Sequence, residues 1–493
     1  MFLREIGPSK GHDSNSFAKQ PLGVSMKKII LATVTLASLT SISARAQDTR
    51  NVSEPVVPPV CVALEAELTA PNGISPADEV WLDTERLQAA IDHCAPGKAV
   101  ELAGTGDRNA FLTGSLQMRK GVTLLIDKGV TLYGSRDPRD YEVKPGSCGL
   151  VVKVEEHKGC RALLWAKRAN GSGVMGEGTI DGRGGAKLLV NGKLSEESWW
   201  DLAEDARDDG HQQVPRLIDT DHTDNFTVYK LTLRNSANVH VGFHNGNGLT
   251  VWGVRIDSPH DARNADGVDP SGSKNITLAY SYIRAGDDNV AIKAGSGSTK
   301  NVSILHNHFY WGHGMSIGSE TNGGVSSVLI ADLSLDGPDN GLRIKSNADK
   351  GGLVKGVTYQ DVCIRKSKAP IIMETAYSKQ TFFHTKEPVY QDIVIQNVRI
   401  SGGGKVQLLG LDKTHRIGVQ FDGVMLADPN AKYKFAAQHA DITLGPGPVN
   451  FQLLGEDSSL RGTIGNETPL ASCDAKFVPY PVERSPQTQI SAK

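Results

Sequence analysis

Apolar positions along the chain keep two different rhythms. Leu87, Ala90, Ile91 and Cys94 recur at the spacing that puts side chains on one face of a helix. Asp83 or Thr84 stands where an N-cap belongs, and Pro96-Gly97 ends the segment at about Cys94. From about residue 98 the rhythm shortens to β runs split by Gly, Asn and Asp. One run recurs as Phe226-Thr227-Val228, Leu249-Thr250-Val251, Ile276-Thr277-Leu278, Val302-Ser303-Ile304, Val328-Leu329-Ile330, Val357-Thr358-Tyr359 and Ile393-Val394-Ile395. The steps between centres are 23, 27, 26, 26, 29 and 36 residues, and no helix fits regularly between them. A propeller blade needs about 40 residues or more, and the L-x-x-L-x-L-x-x-N frame of leucine-rich repeats is absent. Three short strands and three turns fill such a repeat, so the expected fold is all-β, a parallel β-helix solenoid with an N-terminal capping helix.

Four segments follow. Residues 1–46 read as an upstream extension and a secretory signal peptide. Met26-Lys27-Lys28 is basic, Ile29 to Ser41 is apolar and small, and Ala44-Arg45-Ala46 is a cleavage pattern before Gln47. Residues 1–25 lack signal character, which makes Met26 the natural start. Residues 47–97 hold a Pro-rich, loosely held stretch to residue 60 and the capping helix over one end of the stack. Residues 98–455 form the β-helix. Residues 456–493 are a C-terminal tail without clear repeat, expected over the other end.

Composition narrows the functional classes. Lys+Arg 53 against Asp+Glu 55 leaves no basic excess for nucleic acid, and no later apolar run is long enough to span a membrane. An exported chain tolerates disulfides. Cys61 and Cys94 flank the helix and Cys148 and Cys160 bracket a short loop, although six cysteines allow 15 pairings. No C-x-x-C occurs, so zinc and thiol redox chemistry are not expected.

Stacked coils bring residues 20–30 apart in sequence to about 4.8 Å along the axis. Asp266-Gly-Val-Asp-Pro, Asp288-Asn-Val-Ala-Ile, His313-Gly-Met-Ser-Ile and Asn340-Gly-Leu-Arg-Ile align as four consecutive coils. Val268, Val290, Met315 and Leu342 then share an apolar column, and Asp266, Asp288, His313 and Asn340 share another. Asp287 precedes it, and Arg343 and Lys345 share one strand face. Glycosidic cleavage needs one protonated and one ionised carboxyl. Crowding of Asp266, Asp287 and Asp288 raises at least one pKa. Arg343 and Lys345 suit an anionic sugar. Lys345 is expected on an exposed face, where its loss acts on binding rather than folding.

Asn264-Ala-Asp266-Gly-Val-Asp269, Gly286-Asp287-Asp288, Gly312-His313-Gly314 and Arg343-Ile344-Lys345 resemble, in order, the four signatures of the polygalacturonase family (glycoside hydrolase family 28). The likeness to bacterial secreted endo-polygalacturonases runs from about residue 50 to 410, and includes Gly178-Thr-Ile-Asp-Gly182. The resemblance implies a right-handed helix and metal-free, cofactor-free inverting hydrolysis of polygalacturonate. It implies Asp287 as general acid, Asp266 and Asp288 as activators of water, and His313 as support for the acid. Asn264 would orient the site, Arg343 and Lys345 would hold a galacturonate carboxylate, and Tyr377 lies near the family's substrate-binding tyrosine. Ala265 departs from the common Thr. The protein is expected to act as a secreted monomer.

Blander readings compete at several positions. Asn225, Asn275 and Asn301 each begin N-x-S/T, but they recur at one phase of the coil, which favours turn residues over glycosylation. Asp269 reads equally well as a turn residue. His306 and His308 lack a third metal ligand, Trp199 and Trp200 read as packing, and Trp311 is a candidate for the cleft border. Rival functions are an exo-acting enzyme, a hydrolase of another pectic backbone, a calcium-dependent pectate lyase and a non-catalytic β-helix binding protein. The Asp287-Asp288 pair with His313 favours hydrolysis over elimination, and Arg343 with Lys345 favours homogalacturonan.

Overall fold

A computed structural model describes residues 47–153, 159–208, 210–378, 386–428, 430–465 and 472–482. The expected leader, residues 1–46, lies outside them. Three ladders of parallel strands wind into a right-handed β-helix, the hand that parallel crossovers take. The first ladder contains the repeated triplets in the expected register: Val228 pairs with Val251, Val251 with Leu278, Leu278 with Ile304, Ile304 with Ile330, Ile330 with Tyr359 and Tyr359 with Ile395. The second runs through Val241–His244, Val268–Ser271, Val290–Ile292, Met315–Ile317, Asn340–Lys345 and Ala369–Glu374. The third includes Thr232–Arg234, Arg255–Asp257 and Tyr282–Arg284. Inward residues of all three fill one continuous dry core, because alternate positions of each strand are apolar in every coil.

The turns explain the polar punctuation. Just before each repeated triplet of the first ladder the backbone takes positive φ, at Asn225, Gly248, Asn275, Asn301, Ser327, Gly356 and Asp392. Asn is one of the few residues with a side chain that enters this region readily. The Asn275 amide donates to Asn247 at 2.8 Å and Asn301 donates to Asn275 at 3.1 Å, so the turn column is tied from coil to coil. A second such column, at the bend into the third ladder, contains His306 (φ +56°), whose ring stacks on Tyr280 and bonds Asp332. His308 stacks on Tyr282 and bonds Ser334. Both histidines serve the turns and their neighbours.

The helix Thr84–His93 buries Leu87 and Ile91 and closes the N-terminal end. Asp83 stands at its N-cap but makes no side-chain capping bond; its carboxylate accepts the Leu112 N–H at 3.0 Å and pairs with Arg86. Thr84 Oγ1 accepts the Gly114 N–H and Gln88 the Gln117 N–H, both at 2.8 Å. The lid therefore satisfies backbone donors of the first strands of the other two ladders, which no earlier coil reaches.

Two expectations about the termini are corrected. The stretch after residue 47 is not loose at its start. Asp48 is buried, its N–H donates to Ser303 at 2.9 Å, its carboxylate accepts Thr277 at 2.8 Å, and Arg50 pairs with it. The hydroxyls on the outer face of the first ladder offer these bonds. Strands continue through Gly455–Arg461, beyond the boundary at 455. The described tail, 472–482, does not cover the far end but lies along the third-ladder side. Cys473 is disulfide-bonded to Cys363, Tyr310 donates to the Val478 carbonyl at 3.0 Å, and Tyr480 to that of Ile256 at 3.1 Å. Aromatic and cationic side chains on that flank hold it: Arg284 lies over the Tyr480 ring and Tyr310 meets that ring edge-on. Cys61–Cys94 and Cys148–Cys160 pair as expected. Among the described residues no helix is long and apolar enough to cross a membrane.

Candidate active site

The second ladder brings the motif residues together. Val268, Val290, Met315 and Leu342 are in register, as the sequence alignment requires. Asp266, Asp287 and Asp288 and His313 stand in the turns that enter these strands. Glycines allow those turns to approach one another. A Cβ on Gly286 would run into the Ala262 carbonyl, and one on Gly314 (φ +83°) into that of Asn340. Between them, buried Asn289 accepts the Gly314 N–H at 3.0 Å and donates to the Ile283 and Trp311 carbonyls. That clamp fixes the turn carrying His313.

The aligned turn column divides into separate pairings. His313 Nδ1 is 2.9 Å from Asp287 Oδ1, and the Asn264 amide (φ +59°) donates to Asp287 Oδ2 at 3.4 Å. Gln212 in turn holds Asn264 at 2.9 Å. Asp288 is buried and accepts from Ser316 at 2.6 Å and from Lys345 at 2.8 Å, with Arg343 at 3.7 Å. Asp266 is buried, with Lys293 at 3.6 Å, and the same ammonium reaches Asp269 at 2.6 Å. The other side of His313 faces Asp339 at 4.0 Å, and Asp339 is paired with Lys368.

Arg343 and Lys345 share a strand with Tyr377 nearby, and the tyrosine ring lies 4.9 Å from each cation. Arg343 Nε and Nη1 are buried without a hydrogen-bond partner among the described residues. Such donors are costly to leave unmade. Lys345 is 6% exposed, not on an open face as expected, because the ladder's outer side is covered here by Tyr377 and by its own carboxylate partner.

Burial and neighbours set the charges. Burial, then Asp269 and Asp287, raise the Asp266 pKa well above the ordinary carboxylate range, which meets the expectation that one of the three is raised. Burial also pushes Asp287 up, but the His313 hydrogen bond and charge outweigh it, and the net shift is down. Burial pulls His313 down, and Asp287 more than offsets it, so the imidazole is raised. Both directions favour the ion pair, aspartate with imidazolium.

Ligand atoms of Asp287, Asp288 and His313 lie within 4.8 Å of one another. Both Asp288 oxygens are already engaged by Ser316 and Lys345, and the ammonium takes the place of a cation. Trp311 does not border the site: its indole N–H donates to the Ser258 carbonyl at 2.8 Å and Arg284 lies over its ring. Trp199 is buried edge-on against Tyr141, and Trp200 donates to the Ser236 carbonyl. Sequence reading missed Lys293, Ser316, Gln212 and Asn289 as parts of the cluster. Lys293 was detectable as a charge ending the apolar strand Val290–Ile292, two coils before Lys345 on the same ladder. Gln212 lies in the short strand His211–Gln213, which pairs with Leu150–Val152 outside the solenoid, where no repeat places it.

Residues 107–441 match the family described as Glycosyl hydrolases family 28. The chain is 44% identical over 403 residues to an endo-polygalacturonase of Pectobacterium parmentieri, covering 81% of this chain and 95% of that one. It is 37% identical over 494 residues to a polygalacturonase of Ralstonia solanacearum, covering 87% and 92%. Among solved structures, the polygalacturonase from Erwinia carotovora ssp. carotovora superposes with a TM-score of 0.73 at 42% identity, over 80% of this chain and all of that one. An exopolygalacturonase of Yersinia enterocolitica, at 20% identity and a TM-score of 0.61, shares the fold. With these matches over most of the chain and the four motifs gathered on one ladder, the chain belongs to family 28 of the glycosyl hydrolases.

Proposed function

We propose that the protein is an endo-polygalacturonase that hydrolyses α-1,4-galacturonosyl linkages of polygalacturonate with inversion, and so contributes to plant cell-wall breakdown. The observation that carries the substrate class is the pair of cations on one strand, Arg343 and Lys345, both 4.9 Å from the Tyr377 ring and beside the aspartate cluster. A sugar carboxylate suits two adjacent cations, and a neutral sugar does not require them. Endo action follows the endo-polygalacturonase to which the chain is 44% identical.

In this reading Asp287 is the general acid. Its proton is shared with His313 across 2.9 Å. A bound sugar excludes water, which penalises the aspartate–imidazolium ion pair and moves the proton onto Asp287, ready for the leaving oxygen. Asp266 and Asp288 activate water as base, Asp288 being oriented by Ser316 and Lys345. Asn264, held by Gln212, orients Asp287. Inversion puts acid and base on opposite faces of the sugar, with water between. No metal or other cofactor enters these steps. All six cysteines are paired, which suits a secreted protein released from a signal peptide, acting as a monomer outside the cell.

Sizing the earliest products of polygalacturonate tests the endo assignment. Mixed oligomers with a rapid loss of viscosity are expected. Galacturonate monomer as the sole early product would overturn it.

A further inference from the structure

In the reading above Asp266 has to be ionised before it can accept a proton from water, and most of its surroundings oppose that ionisation. It is buried, and Asp269 on its own ladder and Asp287 and Asp288 from the next turn all favour its protonated form; Lys293 is the nearby cation that opposes them. Arg216 acts on the same pair of carboxylates from further away, with its guanidinium 2.6 Å from Asp219. His240 brings no charge: its Nδ1 lies 2.8 Å from the Asp266 backbone carbonyl, and burial pushes its pKa down to about 4. Lys293 follows the strand Val290–Ile292 and bridges in register to Ser271. Its ammonium sits 2.6 Å from Asp269 Oδ2 and 3.6 Å from Asp266 Oδ2, with Glu320 adding to the negative charge around it. Asp269 Oδ1 is buried without a hydrogen-bond partner among the described residues, so the ammonium is the principal hold on that carboxylate.

We propose that Lys293 is a positioning residue: its ammonium bridges Asp269 and Asp266, and favours the ionised form of Asp266 beside Asp287 so that it can serve as base. The inference rests on the assignment of Asp266 in the reading above. It makes the two partners of one ion pair act in opposite directions. Without the ammonium, Asp266 faces three carboxylates with Arg216 opposing them from further away, and holds its proton to higher pH. Without the Asp269 charge, the ammonium serves Asp266 alone and the proton leaves at lower pH.

The test is the pH profile of kcat/KM on polygalacturonate, followed by reducing ends, for wild type, Lys293→Met, Lys293→Arg and Asp269→Asn. The acid limb is expected to move up by at least about one pH unit in Lys293→Met, the scale on which one adjacent charge moves a carboxylate. It is expected to move down in Asp269→Asn and to stay near wild type in Lys293→Arg. Loss of activity in both Lys293→Met and Asp269→Asn with the limb in place would mean a merely structural role. A raised KM with the limb in place would mean that Lys293 holds the sugar carboxylate instead. Either overturns the inference. If Asp269→Asn does not fold, the comparison of Lys293→Met with Lys293→Arg decides. A wild-type protein that releases no reducing ends overturns the parent reading, and that measurement precedes the variants.

Discussion

Asp287 and His313 face each other across 2.9 Å, and in the proposed mechanism the proton they share moves to Asp287 when a sugar displaces water. Asp287→Asn removes the acid while leaving room for the Asn264 and His313 contacts, so kcat is expected to fall at least roughly 10²-fold with the melting temperature near wild type. Wild-type-like turnover in the folded variant would contradict the assignment. Lys345 is a different case, because it is buried against Asp288 at 2.8 Å. Lys345→Met leaves a buried carboxylate uncompensated and is expected to cost about 3–5 kcal/mol of stability as well as raising KM. An unchanged denaturation midpoint would show that the pair contributes nothing to the fold. His240 lies beneath Asp266, with Ser258 at 3.0 Å from its other nitrogen. Its folded pKa, about 4, is below the ordinary value of 6.5. The unfolded chain therefore takes up more protons, and stability falls as pH drops through that window. His240→Gln is expected to lose less in melting temperature between pH 7 and pH 4 than wild type does, and an equal loss would contradict this. The motif residues could be found from sequence because stacking repeats them at coil spacing. The buried state of Lys345 and the role of Gln212 could not, since Tyr377, which covers Lys345, and the strand that carries Gln212 lie outside the repeat.

At the scale of the element, the alternation of strands and the chemistry of turns carry the fold. A one-residue slip in the first ladder would turn Thr250, Thr277 and Ser303 inward and Val251, Leu278 and Ile304 outward, so the triplets specify their own register. That is why the strands and their pairing were legible from residue 226 onward. The turn columns were legible as Asn and Gly positions, although their positive φ became evident only in three dimensions. Asn301 (φ +60°) tests this point. Asn301→Gly is expected to be nearly neutral, while Asn301→Val is expected to cost about 1–2 kcal/mol in chemical denaturation, the penalty of a side chain in the left-handed region. Equal effects would indicate that the Asn275–Asn301 side-chain bond matters rather than the backbone. The N-terminal strap and the tail stayed hidden for a simple reason. Asp48, Arg50, Cys473 and Tyr480 attach to the outside of the stack through hydrogen bonds, a disulfide and a ring contact that do not recur from coil to coil and leave no periodic trace.

For the whole molecule, the β-helix is a ruler with one functional edge. Each coil adds a few residues to the second ladder, and Asp266, Asp287, His313, Arg343 and Lys345 come from consecutive coils, so neither catalysis nor anion binding depends on one flexible loop. The lid helix, the strap across the first ladder and the disulfide-tethered tail on the third-ladder side all leave that ladder to the substrate. A long anionic polymer lying along it would place one sugar on the Arg343–Lys345 fork and the scissile bond at Asp287. The most direct measurement of this account is product chemistry on polygalacturonate with a chelator present, following reducing ends together with absorbance from unsaturated uronides. Reducing ends that rise while the absorbance stays flat are the expected result, because the chain's own carboxylates and imidazole perform a hydrolysis. Absorbance that rises with the reducing ends would mean elimination, and would contradict the acid–base roles assigned to Asp287, Asp266 and Asp288.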